Sequence, residues 1–431
     1  MQFLFGIGNG GTFMARKKAF ASCISAIAAA SLLLTLCACG TSGTSSSAAS
    51  QNVQASAAVQ GTGTVSTIST GTLDAGELFT DRDLEQEPDL TNAQTIEVSS
   101  GQDVTIDKEG IYVLTGTAEN TAIRVECGDA EKVQLVLDGL QITNTDMPAI
   151  YVLSADKVFI TATEADSSLK VTGTFTADGE TNTDAVIFSK EDLTLNGTGS
   201  LSISSTGNGI TSKDTLTVTG STLTIDAAGH GMEANDGIEI CGGSLTIEAV
   251  KDGLQAENDE DNTLGYIYIG GGEYNIQAGD DGIRANTVLQ IDGGNLSIDA
   301  VEGLEATSVE INGGTIDITA SDDGVNAAEK STACEVTIAV NGGTLNITMG
   351  SGDTDALDSN GSLVINGGNI NISANSPFDY DTSGELNGGT VTVNGETVTE
   401  LTNQFGGGPG GGANGNGGMG GPGSGGMGGH P

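Results

Sequence analysis

Residues 281–320 read DGIRANTVLQIDGGNLSIDA VEGLEATSVEINGGTIDITA, one sentence of about twenty residues written twice. Each half opens on an acidic residue and a glycine. It then runs through a short apolar strand, an acidic or Asn residue before Gly-Gly, and a second strand in which every other residue is apolar. The same sentence extends outward in both directions. The glycine after the first acidic position recurs at Gly209, Gly231, Gly253, Gly282, Gly303 and Gly324, at intervals of 22, 22, 29, 21 and 21. The Gly-Gly pair recurs from Gly242, Gly271, Gly293, Gly313, Gly342, Gly367 and Gly388. The one long interval contains the insertion ENDEDNTLGY at 257–266.

Strands of three to five residues with period-2 alternation and no helical pattern between them cannot build a βαβ sheet. None can bury a face alone, so each must stack on copies of itself. A unit of this length is one coil of a parallel β-helix. Leucine-rich repeats would show a Leu-x-x-Leu-x-Leu frame, and nonapeptide solenoids have a shorter period. Residues 79–180 carry the same alternation with less regular turns and are read as the first coils with an end cap; residues 375–403 are read as the last coil. The predicted solenoid, 76–403, holds some 12–14 coils of ~22 residues and is roughly 60 Å long at ~4.8 Å per stacked strand.

The ends read differently. Arg16, Lys17 and Lys18 precede an uncharged Ala-, Ser- and Leu-rich run, and Leu36-Cys37-Ala38-Cys39 closes it. A positive start, an apolar middle and small residues before a cysteine predict an export signal over 1–38 with Cys39 as its lipidated first residue, whether translation starts at Met1 or Met14. Residues 39–75, almost wholly small and polar, are read as a flexible tether. Residues 404–431 are read as a disordered Gly-rich tail. This places the solenoid outside the cell, anchored to the membrane only through lipid. Cys127, Cys241 and Cys334 are too few for a disulfide framework.

Charge is the second signal. The chain has 57 acidic and 14 basic residues, a net charge of −43 over 431 residues. No acid precedes Asp74 or follows Glu400, and between them 57 acids face 11 bases, a net of −46. That excess excludes nucleic acid as a partner and a polybasic grip on lipid. Aligned on the repeat glycine, Asp184, Asn208, His230, Asp252, Asp281, Glu302, Asp323 and Asp355 fall in one column. Asp280 and Asp322 precede it by one residue, while Glu233, Glu305 and Asp358 follow it by three. Carboxylates ~4.8 Å apart repel by ~3.5 kcal/mol at an effective dielectric of ~20. Protons or cations must relieve that repulsion. Hard oxygen donors from several coils suit calcium, which takes 6–8 oxygens in flexible geometry. The bland reading is that Asp and Asn favour turns, which accounts for Asn312, Asn341, Asn366 and Asn387 beside Gly-Gly but less well for a column of carboxylates.

The ordered set FTDRDLEQEPD, GIYVLTGTAENTAIRV, VQLVLDGLQITNTDMPAIYV and KVFITAT, followed by DGIxA coils and a Gly-rich end, resembles the clostridial carbohydrate-binding β-helix proteins. These are bacterial surface lipoproteins related in fold to the family-nine polysaccharide lyases. The resemblance covers roughly Phe79 to Phe405. It implies a single-stranded right-handed parallel β-helix, bound calcium, and binding to plant-wall polysaccharide, cellulose and polygalacturonate in particular.

Ligand residues are few. The chain has no Trp, so aromatic contact with sugars falls to Tyr266 and Tyr268, which alternate with Ile267 and Ile269. Arg284 in DGIRA is the candidate for a ligand carboxylate, or equally the counter-ion of Asp281 or Glu305. A lyase needs a neutral base, and Lys251, Lys213 and Lys190 are the available lysines. A lysine beside stacked carboxylates has its pKa raised, which opposes that role. The sequence therefore favours binding by a monomer without a catalytic residue; a calcium-dependent pectate lyase and a structural or adhesive rod are the alternatives.

Overall fold

Consecutive outward and inward positions explain why the chain winds as it does. In Thr315–Ala320 the burial alternates strictly, with Ile316, Ile318 and Ala320 inside, and each inward Ile or Leu sits above its equivalent one coil away: Leu296, Ile316 and Leu345 are register partners, as are Ile298, Ile318 and Ile347. The computed structural model describes residues 72–351 and 354–403. Those residues belong to a unit that starts at Thr64. The export signal, Cys39, nearly all of the tether and the Gly-rich tail lie outside the described residues. Among the described residues, no helix is long and apolar enough to cross a membrane.

Three parallel sheets of 13, 13 and 12 strands run the length of the unit, a parallel β-helix of the coil number expected. In one coil, Val288–Ile291 belongs to the first sheet, Asn295–Ala300 to the second and Glu302–Ala306 to the third. A single core of Ile, Leu, Val and Ala fills the interior from Val98 to Leu401. The turn between the first and second sheets carries the Gly-Gly pair, whose second member has positive φ, as at Gly294 (+99°) and Gly314 (+83°), a conformation that favours glycine. Asparagines before it form a ladder: Asn341 donates to Asn312 (2.7 Å), Asn366 to Asn341 (2.8 Å) and Asn387 to Asn366 (3.0 Å). These are the asparagines that turn chemistry accounts for.

Two departures from the expected layout matter. Residues 79–93 are not a coil. Residues 72–93 form a strap that runs back along the outer face of the first sheet. The Thr72 and Leu73 amides donate to Glu310 and Gln290 (2.9 and 2.7 Å), Phe79 packs on Tyr268 (centroids 6.0 Å apart), and Gln86 accepts from the Gly197 amide (2.9 Å). The strap's Asp83 is fully buried against the sheet, 2.7 Å from Lys157 Nζ, and accepts from Thr194 Oγ1 (2.6 Å). Burial alone would raise its carboxyl, yet the bonds from Lys157, Thr194 and Thr80 bring it below the usual carboxylate range. At the other end, Glu396–Val398 turns back antiparallel on Thr390–Val393. Leu401 then enters the core while Asn403 donates to the Tyr380 carbonyl (2.7 Å). The last described residues thus cap the final coil, covering an edge that would otherwise invite pairing.

Candidate functional site

The repeat glycine sets the geometry of the third sheet. A Cβ on Gly303 would lie 2.5 Å from Ile318 Cγ2 in the core and 2.4 Å from the Gly324 carbonyl, so that position faces inward and accepts only hydrogen. Leu304 also faces inward, fully buried. Two successive inward positions turn Glu302 and Glu305 out on the same face. The repeat therefore builds two outward columns.

Pairing fixes their members. The first is Asn208, His230, Asp252, Asp281, Glu302, Asp323, Asp355 and Ser376. Asp184 falls out of it, because the Asn208 amide donates to the Asp184 carbonyl (2.8 Å) and Ala185 is the register partner. The second column is mixed: Tyr151, Phe188, Thr211, Glu233, Gln255, Arg284, Glu305, Asn326, Asp358 and Asp379. Gln255, Arg284 and Asn326, which sequence spacing alone did not assign to it, separate Glu233, Glu305 and Asp358, while Asp358 and Asp379 are direct partners.

Of the ten carboxylates expected to hold metal, five converge. Oxygens of Asp252, Asp280 and Asp281 lie within 4.8 Å of one another, as do those of Asp281, Glu302 and Glu305. Asp281 belongs to both groups. Asp252, Asp281 and Glu305 are 2, 6 and 7% exposed. Burial, then a hydrogen bond with Glu305 and the charges of Glu305, Asp252 and Glu302, drive the Asp281 carboxyl far above its ordinary value. Glu302 is pushed up to about 7 by burial and by Glu305 and Asp323, against a bond from Asn326 Nδ2 (3.0 Å). Asn326 Oδ1, on the next coil, is buried without a hydrogen-bond partner. An all-oxygen set of buried, mutually repelling carboxylates with an orphaned amide oxygen beside it fits a hard divalent cation.

The other five carboxylates stand outside both groups. Glu233 is held by Asn208 Nδ2 (2.5 Å), Lys213 (3.2 Å) and Thr211 (3.2 Å). Asp323 accepts from the Asp355 amide (3.2 Å), and Asp355 accepts from Ser376 Oγ. Burial first, then Asp358, Asp322 and Asp355, pushes Asp323 up to about 7. Burial, then Asp379 and Asp355, pushes Asp358 up to about 6. Asp322 is exposed on the turn before the column.

Arg284 points its Nε at Glu305 (3.1 Å), with Glu257 3.5 Å from Nη1 and Asp281 3.8 Å from Nε. Lys330, which the sequence did not single out because it sits in an insertion between coils, is 2.5 Å from Glu305. His230 Nδ1 lies 3.2 Å from Asp252 without hydrogen-bond alignment, and its Nε2 is 3.3 Å from Lys251 Nζ. The tyrosines do not form an open sugar-stacking face. Tyr268 is 1% exposed under Phe79 of the strap, with its hydroxyl donating to Asp292 (3.1 Å). Tyr266 is half-buried and donates to Glu239 (2.6 Å).

Comparison with known proteins places this face in a family context. Residues 100–309 and 299–403 match the family described as carbohydrate-binding domain-containing protein. A protein of that description from Acetivibrio thermocellus is 33% identical over 164 residues, 36% of this chain and 54% of the relative, so the match spans about half the relative's length. A solved structure, the gadolinium derivative of a polysaccharide lyase-like protein from C. thermocellum, is 29% identical with a TM-score of 0.45, over 55% of this chain and 96% of that one. With most of its solenoid matched, the chain belongs to the family of carbohydrate-binding domain-containing proteins.

Proposed function

We propose that the third sheet binds an acidic plant-wall polysaccharide of the polygalacturonate type through calcium, on a protein exported and lipid-anchored at Cys39. The observation that carries this reading is the pair of three-carboxylate groups joined by Asp281. Asp252, Asp280, Asp281, Glu302 and Glu305 would hold the cations, and calcium would supply open coordination positions for polymer carboxylates. Around them the chain's own residues do the positioning. Arg284 and Lys330 fix Glu305 from one side, and the inward glycines from Gly209 to Gly324 keep both columns on one face. Cellulose is the weaker candidate, because Tyr268 is covered and the described outer face of the third sheet is polar along the acidic coils.

The deciding experiment is retention of the chain on a panel of insoluble polysaccharides with millimolar calcium or with chelator. Calcium-dependent retention on polygalacturonate is expected; equal retention in chelator refutes the calcium reading. A second reading, a lyase, is favoured by one contact: Lys251 Nζ beside His230 Nε2, one residue from Asp252. Removal of the proton alpha to a uronate carboxylate would need a base in reach of it, and Lys251 is the candidate. Steady release of unsaturated products, followed by absorbance, would favour the lyase.

A further inference from the structure

The two longest segments leading out of third-sheet strands, 257–265 and 328–336, touch each other. Asn262 Nδ2 donates to Thr332 Oγ1 (2.9 Å), and Ser331 Oγ donates to the Asn262 carbonyl (2.5 Å). Asn258 braces the first insertion: its Oδ1 accepts from the Glu260 and Asp261 amides (3.0 and 2.8 Å), and its Nδ2 donates to Asp236 (2.8 Å). Thr307 Oγ1 braces the second by accepting from the Lys330 and Ser331 amides (both 3.0 Å). Beside the acidic columns, residues 257–262 of the first insertion and Lys330 of the second line an open cavity of about 690 Å³ with Arg284 and Asn286, within the size range of small-ligand sites.

All nine lining residues are Asn, Asp, Glu, Arg or Lys. The two cations among them are Arg284 and Lys330, whose side chains are 26 and 18% exposed. Glu305, 7% exposed, holds both from one side. A guanidinium offers five N–H donors and an ammonium three. The contacts to Glu305, Glu257 and Asp281 engage Nε and one Nη of Arg284, and Glu305 engages the Lys330 ammonium. A ligand matching this lining must bring an anionic acceptor for the two cations. It must also bring several donors, because four carboxylates, Glu257, Asp259, Glu260 and Asp261, line the same space beside the Asn oxygens. Inorganic phosphate or sulfate has the first without a row of hydroxyls, and a neutral sugar has the second alone. A sugar residue bearing a carboxylate has both.

We infer that the cavity beside the two insertions is a subsite for one uronic acid residue, with Arg284 and Lys330 donating to its carboxylate and Glu257 and Asn262 meeting its hydroxyls. It rests on the reading that the third sheet takes a polysaccharide. It adds a charge-selective site that works without metal. Arg284 and Lys330 are specificity-determining residues here; the first insertion supplies the rest of the wall, and the second supplies Lys330.

Calorimetric titration of the full chain in chelator, with tetragalacturonate and with its methyl ester, tests this. Wild type is expected to prefer the free acid about tenfold or more. Arg284→Gln and Lys330→Gln should each cut that preference severalfold, and together bring it to about one. Lys330 lies in an insertion outside the core, so K330Q keeps the test open if R284Q unfolds. An unchanged preference in K330Q and the double variant, or no preference in wild type, overturns the subsite. A preference seen only with calcium overturns it too, by assigning selectivity to the metal. Failure of the underlying reading looks different: wild type then binds no polymer in the retention panel, whatever the tetramer titration shows.

Discussion

Two outward faces of one solenoid meet the same problem and solve it differently. On the first sheet, Phe159, Thr194, Thr217, Glu239, Tyr268 and Gln290 stack in register, and the strap from 72 to 93 lies over this column. On the third sheet, Asp252, Asp281, Glu302 and Asp323 stack in register with no such segment over them among the described residues. Asp83 of the strap has a buried cation and hydroxyl donors, and its carboxyl falls below the ordinary value. Burial first, and then the carboxylates around them, raises Asp281, Glu302 and Asp323. Burial also raises Glu239 in the covered column, to about 7, but Tyr266 and Thr217 donate to it from within the chain; on the proposed reading, a cation would do the same for the stacked acids of the third sheet.

The largest effect expected is on the covered face. Asp83→Ala leaves Lys157, 13% exposed, without its carboxylate, and breaking a buried pair from one side costs about 3–5 kcal/mol. Urea unfolding measures it. A loss below ~1 kcal/mol would mean the strap is only laid on the sheet, and the contrast between the faces would collapse. Next comes calcium on the open face. At a hundredfold excess over its dissociation constant, one ion that binds only the folded chain adds ~2.7 kcal/mol. Calorimetric scans of stripped protein with and without calcium should show a rise in Tm that magnesium, with its stricter octahedral demand, does not match. No rise would remove calcium from the third sheet.

Much of this was legible from the repeat, and the part that was not has a physical cause. Gly209 to Gly324 gave the coil length and the acidic column because a glycine whose Cβ would strike a core isoleucine cannot drift in register. Asp184 fell out of that column where the spacing reaches the N-terminal coils, whose turns are less regular. The strap was invisible to periodicity because it joins residues 111 to 238 positions apart through single hydrogen bonds. The same holds for Lys330: an insertion has no coil partner, so nothing in the repeat predicts that it meets Arg284 at Glu305. Tyr266 and Tyr268 were correctly read as outward residues, but the sequence held no sign that the strap would cover one of them.

The pH dependence of the open face follows with its sign. Glu302 and Asp323 at about 7 and Asp358 at about 6 bind protons more tightly folded than unfolded. The stability they contribute is complete below their unfolded values near pH ~4 and is lost as pH rises through the folded values. In chelator, Tm should fall between pH 5 and 8; with calcium bound, most of that fall should disappear. A Tm that climbs over this range in chelator would mean that the stacked carboxylates are already compensated.

The smallest effect separates the two faces by sign. Burial first, and then Glu305, raises the Asp281 carboxyl, which favours its protonated form in metal-free protein. Asp281→Asn keeps that shape and a donor toward Glu305 while deleting a potential charge, so it should stabilise the chelated chain by ~1 kcal/mol, the scale of one hydrogen bond, and flatten its pH profile. It also removes the carboxylate common to both groups, so the calcium-dependent rise in Tm should shrink or vanish. On the covered face the equivalent swap, Asp83→Asn, removes the charge that Lys157 needs and can only destabilise. Opposite signs from one chemical change, an acid to its amide, are what a satisfied column and an open one require. If D281N destabilised the chelated chain as D83N does, Asp281 would be an internal structural partner of Arg284, and the cation site would lose its central ligand.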